Sequence, residues 1–232
     1  MDYTLIYVTG NSVKFDVALE TLNNTGIVLL QEKLDTPEIQ SKSVQEVAMY
    51  SAHWASKLLN RPVIVTDAGF YIEALNGFPG PFIKFVNDWF SADDYINLMK
   101  DKTNRTIIIQ DCLAYCHPDE DPLVFTGTYR GKLANQPSSM YGTSIEKIFI
   151  PEGFDVPISD IPVEKMISYW SNGEIMSKFK EYILAKLNFV NENVVWRTNQ
   201  LLYSKAYSKL AQFAKRLQLE LQKQNLMNAF FK

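Results

Sequence analysis

The first 67 residues alternate between apolar runs and segments with helical spacing, and this alternation constrains the fold more than any other feature. YTLIYVT, GIVLLQEKL and RPVIVT are predicted strands, and SVKFDVALETLNN and VQEVAMYSAHWASKLLN between them are predicted helices. Strands joined through helices pair in parallel. Farther along, TIIIQDCLAYC and LVFTGTYRGKLA flank the turn HPDEDP, which predicts an antiparallel hairpin. The sequence therefore predicts an α/β domain with a mixed sheet.

The turn after the first predicted strand reads T-G-N and leads directly into a helix. Thr9, Gly10 and Asn11 form this turn, in which a glycine lets the backbone approach a ligand closely. The free N–H groups at the start of the helix point toward it, a geometry that binds phosphate. Lys14 would meet the same phosphate as a point charge. The spacing is neither that of a P-loop nor that of a Rossmann fingerprint, and such a lysine can also be a solvated surface residue.

Two carboxylates follow the second and third predicted strands. Glu38 comes after Pro37 in a loop, and Asp67 ends the strand RPVIVT, with FYIEAL beyond it as a separate short strand. We expect both acids at the carboxyl ends of the strands, beside the Gly10 turn. Paired oxygen ligands near phosphates are typical of Mg²⁺ sites. As alternatives, Glu38 is a solvated loop acid and Asp67 a turn residue.

Composition places the chain among globular proteins without a membrane span. Its apolar content is 47%, no run approaches the length of a span, and the N-terminus lacks the pattern of a signal peptide. We therefore expect a cytoplasmic protein. Cys112 and Cys116 lie four residues apart in a predicted strand and have no partner pair for a metal cage, so they are predicted to be core thiols.

The end of the chain differs from the rest in charge and periodicity. The net charge of −3 divides into +6 for residues 197–232 and −9 for residues 1–196. Apolar residues three, four or seven apart predict a long amphipathic helix; they are Val195, Leu202, Ala206, Leu210, Phe213, Leu217 and Leu221. We predict a domain at 1–188 and a basic helical extension at 189–232 that packs on its own domain or on a second copy. Membrane and nucleic acid are not expected, because aromatic and basic residues are not interleaved.

Three blocks together resemble the inosine triphosphate pyrophosphatase family, which removes non-standard purine nucleotides such as ITP, dITP and XTP. They are VTGNSVKF, LDTPEIQ and VIVTDAGFYIEALNGFPGPFIKF, in this order and spacing. The third block is the most specific, with an acidic and a small residue before A-L-x-G-x-P-G-P-aromatic-I-K. The resemblance implies a mixed α/β fold with an elongated central sheet flanked by helices, two lobes around a cleft, and a homodimer.

The resemblance also implies roles for individual residues. Lys14 and Asp67 would be catalytic, and Glu38 and Asp67 would hold Mg²⁺ and the attacking water. That water would attack the α-phosphorus of a nucleoside triphosphate, releasing pyrophosphate and leaving a monophosphate. The substrate-binding positions implied by the resemblance are Thr9, Gly10, Asn11, Lys14, Phe82, Lys84, Phe149 and Lys165.

The chain departs from the family pattern at two places. Thr66 stands where the family has an acidic residue, and Glu73 or Glu38 is a possible replacement. In the second half, the block SIEKIF keeps only the closing Phe149 of the family's aromatic block.

The family's serine, histidine, arginine triplet, which donates to the purine 6-keto oxygen, is here Ser168, Tyr169 and Trp170. The two aromatic rings either stack on a base or belong to the core. Without the donors, the reason for discriminating ITP from ATP is lost, so the base preference stays open. The alternative function is a catalytically inactive homologue that binds a nucleotide or a protein partner.

Overall fold

The structure is a computed structural model that describes residues 3–37 and 39–203, with side chains described as far as residue 188. The strands are β1 (Tyr3–Val8), β2 (Ile27–Glu32), β3 (Val63–Ile72), β4 (Pro79–Gly80), β5 (Thr106–Cys116), β6 (Leu123–Leu133) and β7 (Phe149–Pro151). The helices are α1 (Ser12–Leu22), α2 (Val44–Leu59), α3 (Ile83–Trp89), α4 (Ala92–Leu98), α5 (Val163–Ser171) and α6 (Glu174–Tyr203). The chain divides into two compact units, Met1–Leu184 and Ala185–Lys232.

The sheet is mixed, as predicted, with strand order β2-β1-β3-β5-β6-β7 and β4 paired with β3. β1 pairs in parallel with β2 and β3, whereas β3, β5, β6 and β7 pair antiparallel in that sequence. The parallel half arises from the β–α–β units, because parallel strands need a long crossover, and the short β5–β6 turn requires an antiparallel pair. The prediction of a mixed α/β fold flanked by helices is confirmed.

The predicted end of the third strand at Asp67 is wrong. β3 is one continuous strand of ten residues that includes FYI, because β5 pairs with it from Val63↔Cys116 to Ile72↔Ile107. This partner lies some forty residues away in sequence, so the local pattern carries no sign of it.

The helices α1 and α2 cover opposite faces of the sheet. The β1–α1–β2 and β2–α2–β3 connections cross the sheet in opposite directions, and right-handed crossovers then place their helices on opposite sides. On the α2 face, Ala48 and Ala52 pack against Val65 and Cys112. On the α1 face, Phe125 of β6 packs against Phe179 of α6 at 5.6 Å between ring centroids.

The two lobes correspond to two core clusters that share the long strands β3 and β5. The first contains α2 together with Val63 and Val65. The second contains Phe70 and Ile72 at the other end of β3, together with Tyr95 of α4. The less buried middle of β3 lies between the lobes.

The C-terminal extension is described only in part. The backbone of α6 is helical as far as Tyr203. The predicted apolar stripe lies outside the residues whose side chains are described, and the boundary at residue 188 stays a prediction. Among the helices of residues 3–37 and 39–203, none is both long and apolar enough to cross a membrane.

Candidate active site

The edge of β3 is uncovered between β1 and β4. β1 pairs with Val63 and Ile64, and β4 pairs near the far end of β3. Within the described part of the chain, residues 66–69 pair only with β5. When the β1–β3 register is continued beyond β1, Gly10 is level with Asp67. The gap therefore brings the end of β1 and the middle of β3 together at one edge.

The turn from β1 to α1 is fixed by its own polar groups. Asn11 caps α1, and its Oδ1 accepts a hydrogen bond from the Lys14 N–H at 3.1 Å. Thr9 Oγ1 accepts from the Asn11 N–H at 3.1 Å, and the Thr9 N–H donates to the Glu32 carbonyl at 3.0 Å. Gly10 is exposed, and a Cβ placed on it would meet nothing within 4 Å. The turn is thus ordered and open to a ligand.

Asp67 lies in the gap, on the face of the sheet that α2 covers. It is half-buried and directly opposite Cys112 on β5. The Tyr71 ring folds back over Gly69, because a Cβ on Gly69 would lie 2.6 Å from that ring. The pKa of Tyr71 is raised by burial and, to a smaller extent, by the Asp67 carboxylate. Tyr71 therefore forms part of the surroundings of Asp67.

Asp111 is a second acid at the gap, which the sequence analysis did not single out. It is opposite Ala68 on β3 and, by strand alternation, faces the α1 side of the sheet. Its Oδ1 accepts a hydrogen bond from the Cys112 N–H at 3.0 Å. Burial raises the pKa of the Asp111 carboxyl, and the Lys14 ammonium acts in the opposite direction. The signal that would have found it is an aspartate at an inward-facing position of the apolar run TIIIQDCLAYC.

Asp67 and Asp111 lie on opposite faces of the sheet, and the Lys14 ammonium opposes the rise in the pKa of the Asp111 carboxyl. The expected convergence of Lys14 and Asp67 stays a prediction. Both carboxylates affect the Cys112 thiol. Burial is the main cause that raises the pKa of this thiol, and the charges of Asp111 and then Asp67 raise it further, to about 12. The two carboxylates lie on neighbouring strands at the same level of the sheet.

At the position where the resemblance implies an acidic residue, Thr66 is hydrogen-bonded to the hydroxyl of Tyr7. Thr66 Oγ1 lies 2.6 Å from the Tyr7 hydroxyl, and Tyr7 is fully buried. Glu73 does not replace the missing acid, since it lies beyond the far end of β3 and accepts a hydrogen bond from Asn104 at 3.1 Å. Glu38 lies outside the described residues, so its predicted role stays a prediction.

A cavity of about 610 Å³ opens on the α1 face. Its lining residues are Tyr129, Phe154, Lys165, Ser168, Tyr169, Asn172 and Gly173. Tyr169 packs edge-on against Phe154 at 5.5 Å, whereas Trp170 packs against Tyr129 at 4.4 Å with the rings nearly perpendicular. Of the two aromatic residues that replace the family's triplet, Tyr169 thus lines the cavity and Trp170 supports its wall. The exposed Lys165, a predicted substrate residue, also lines it.

Tyr129 connects the cavity to the charged residues. Its hydroxyl lies against Gly173, where a Cβ would collide with it. Burial is the main cause that raises the pKa of Tyr129, and the negative charge of Asp111 raises it further. Asp111 therefore acts on both Lys14 of the Gly10 turn and Tyr129 of the cavity wall.

Three predicted substrate residues lie in the second lobe. Phe82 is 38% exposed and Lys84 is exposed, both at the start of α3. Phe149 is fully buried and packs edge-on against Phe70 at 5.6 Å. In this position its ring offers no surface to a base.

Comparisons with known proteins agree with this architecture. A sequence model of the Ham1 family matches residues 5–182. The chain is 36% identical over 178 residues to a protein of Methanopyrus kandleri named dITP/XTP pyrophosphatase, covering 77% of this chain and 95% of that protein. It is 29% identical over 184 residues to a protein of Yarrowia lipolytica named inosine triphosphate pyrophosphatase, covering 79% and 97%. The solved structure of a HAM1 protein from Coxiella burnetii has the same fold, with a TM-score of 0.65 at 19% identity, covering 78% of this chain and 98% of that one.

Proposed function

Because the chain belongs to the Ham1 family, we propose that it hydrolyses nucleoside triphosphates to monophosphates and pyrophosphate with Mg²⁺. The observation that carries this proposal is the open Gly10 turn, level with Asp67 at the uncovered edge of β3. A capped helix start and Lys14 supply donors and positive charge for phosphates at this point. The chain is accordingly a hydrolase that acts on nucleoside triphosphates.

Asp67, with Glu38, would hold the metal ion. Mg²⁺ commonly binds one or two protein carboxylates together with substrate phosphates. When bound, Mg²⁺ neutralises phosphate charge and lowers the pKa of a bound water. Asp67 accepts the proton of the attacking water as its oxygen bonds to the α-phosphorus. The bond to the β-phosphate oxygen then breaks and pyrophosphate leaves.

We propose that the aromatic cavity receives the base. Tyr169 and Phe154 present rings, and stacking is worth about 1–3 kcal/mol for any base. The polar lining is less suited to reading a keto oxygen, because the Asn172 amide already donates to the Ser168 carbonyl at 2.8 Å. We therefore expect weak discrimination between ITP and ATP.

The test is to incubate the full chain with Mg²⁺ and a panel of standard, deaminated and modified nucleoside triphosphates. We expect pyrophosphate and the monophosphate as products, with kcat/KM for ITP and ATP within about tenfold of each other. Orthophosphate and a diphosphate as products would contradict cleavage at the α-phosphorus. A folded protein that turns over no member of the panel would overturn the proposal.

One observation favours a second function, an inactive homologue that binds a nucleotide or a protein partner. Because residue 66 is a threonine, β3 lacks one carboxylate that the resemblance implies. The Thr66 hydroxyl is hydrogen-bonded to that of Tyr7. Calorimetry that detects nucleotide binding without pyrophosphate release would support this alternative. For the active enzyme we further propose a homodimer in the cytoplasm, without a nucleic-acid partner.

A further inference from the structure

Asn172 ends helix α5 and lines the aromatic cavity. The last carbonyls of a helix have no partner within it and need donors from elsewhere. At this end, the Ser168 carbonyl accepts a hydrogen bond from Nδ2 of the Asn172 side chain at 2.8 Å and from the Asn172 backbone N–H at 3.3 Å. Ser171 Oγ donates to the same carbonyl at 3.2 Å. The amide of Asn172 is therefore held at the end of α5.

The contact with Ser168 determines which way the Asn172 amide faces. A backbone carbonyl only accepts hydrogen bonds, so the branch of the amide that lies 2.8 Å from it must be the NH2 group. The reverse orientation would bring two acceptor oxygens together. The other branch, Oδ1, points away from the Ser168 carbonyl. Because Asn172 is exposed and lines the cavity, this acceptor is the group that its side chain offers to a ligand.

Lys165 lies at the opposite end of α5 from Asn172. The two residues are seven positions apart, which corresponds to about 10 Å along a helix. An ammonium group only donates, whereas the hydroxyls of Ser168, Tyr129 and Tyr169 can donate or accept and do not by themselves distinguish an acceptor from a donor on a base. The cavity wall thus has a cation near the start of α5 and an acceptor at its end.

We infer that Oδ1 of Asn172 accepts a hydrogen bond from an N–H group on the edge of the base, so that the site prefers bases that carry such a group. This inference rests on the proposed function, in which the cavity receives the base. Adenine presents its 6-amino group and hypoxanthine its N1–H, so amino and keto purines both fit. An acceptor of this kind differs from the donors to the 6-keto oxygen that the resemblance implies, and it agrees with weak discrimination between ITP and ATP.

Purine riboside 5′-monophosphate tests the inference, because it has the ring system of AMP but no amino group and no N–H on its base. We expect calorimetry on the full chain to give Kd values for AMP and IMP about three- to tenfold lower than for purine riboside monophosphate, the usual effect of one hydrogen bond between neutral groups. Equal Kd values for the three nucleotides would overturn the inference, as would the absence of binding by any of them.

Substitution of Asn172 connects this preference to the residue. Asn172→Leu removes the amide and keeps the approximate size of the side chain. It should raise the Kd for AMP to that for purine riboside monophosphate, whose own Kd should change by less than about twofold. Asn172→Ala repeats the test should the leucine variant not fold. A preference for AMP that survives in the folded variant would overturn the inference.

Ser168→Ala and Asn97→Ala are the matched controls. Ser168→Ala removes another polar side chain from the cavity but leaves the backbone carbonyl that holds Asn172, so the preference for AMP should remain. Asn97→Ala removes an amide from an exposed position of α4 and should leave all three Kd values unchanged. Loss of the preference in Ser168→Ala would assign the recognition to that hydroxyl and contradict the role of Asn172.

The failure of the inference and the failure of the proposed function can be distinguished. Binding of a monophosphate requires no turnover, so it tests Asn172 even if no nucleotide is hydrolysed. A preference for AMP in a chain that hydrolyses no triphosphate would support the inference and overturn the hydrolase. Hydrolysis with equal kcat/KM for ATP and purine riboside triphosphate would support the hydrolase and overturn the inference.

Discussion

Asp67 is the single residue on which the proposed hydrolysis depends most. It is half-buried in the gap of β3, level with the Gly10 turn, and Tyr71 is folded toward it. Asp67→Asn keeps the shape of the side chain but removes its charge and its ability to accept a proton. We expect kcat to fall by about 10²–10⁴-fold, the usual effect of losing a general base.

Pyrophosphate release measures this loss, and circular dichroism checks that the variant is folded. Asp119→Asn, at an exposed acid in the β5–β6 turn, serves as the control of identical chemistry. Near-normal rates in Asp67→Asn would show that another group takes the proton, and the roles proposed for the gap would have to be reassigned.

The two cysteines give a residue-scale test of burial. Cys112 and Cys116 are both free and fully buried. Burial is the main cause that raises the pKa of each thiol, to about 12 for Cys112. A raised pKa keeps the thiol protonated at pH 8, and the thiolate is the reactive form. We expect a disulfide reagent at pH 8 to label neither cysteine in the folded chain and both in guanidinium chloride. Rapid labelling of the native protein would contradict the core position.

At this scale the sequence indicated the local geometry of the first turn and did not single out Asp111. Asn11 and Lys14 belong to a local motif, a strand followed by a turn and a capped helix, whose geometry is fixed within a few residues. Asp111 lies at the gap beside Ala68 and Gly127, which meet it only through the strand register. Such cross-strand neighbours cannot be read from a single segment.

At the scale of elements, local signals located most helices and strands but not the length of β3. Ser91 caps α4, and Asp94 completes the capping box. The hairpin of β5 and β6 follows its alternating pattern. β3 continues past Asp67 because β5 provides a partner for every residue, an effect that a glycine-containing segment does not reveal on its own.

The packing of Tyr71 on Gly69 gives a test of this continuous strand. A Cβ on Gly69 would lie 2.6 Å from the Tyr71 ring, so Gly69→Ala forces the ring to move. We expect the free energy of unfolding in urea to fall by about 1–3 kcal/mol, as for other overpacked sites. Gly10→Ala is the matched control, because its Cβ would meet nothing within 4 Å. Its unfolding free energy should change by about 0.5 kcal/mol or less.

Combining Gly69→Ala with Tyr71→Ala separates overpacking from other causes. With the ring removed, the added methyl group no longer collides, so the double variant should lose less stability than the sum of the two single variants. Additive losses would mean that the ring does not lie over Gly69, and the surroundings described for Asp67 would be incorrect.

At the scale of the whole molecule, the predicted fold class is confirmed, and the distribution of residues between faces was not foreseen. The order of strands and helices determines a mixed sheet with two lobes. It does not determine that Asp67 and Asp111 lie on opposite faces at one level, because a shift of one residue in the β3–β5 register would put both acids on the same face. Asp67 and Asp111 are thus neighbouring carboxylates on β3 and β5, and the convergence expected of Lys14 and Asp67 stays a prediction.

The separation of the chain into Met1–Leu184 and Ala185–Lys232 leads to the last prediction. The family match ends at residue 182, and every residue placed at the gap or the cavity precedes it. A variant ending at Leu187 should therefore keep kcat and KM for its best nucleotide within about threefold of the full chain, as expected for changes remote from a site. Light scattering of both forms tests the homodimer, for which the full chain should show twice its mass of 26.6 kDa. A truncated form that folds but no longer hydrolyses would contradict this prediction and mean that the activity requires the basic extension.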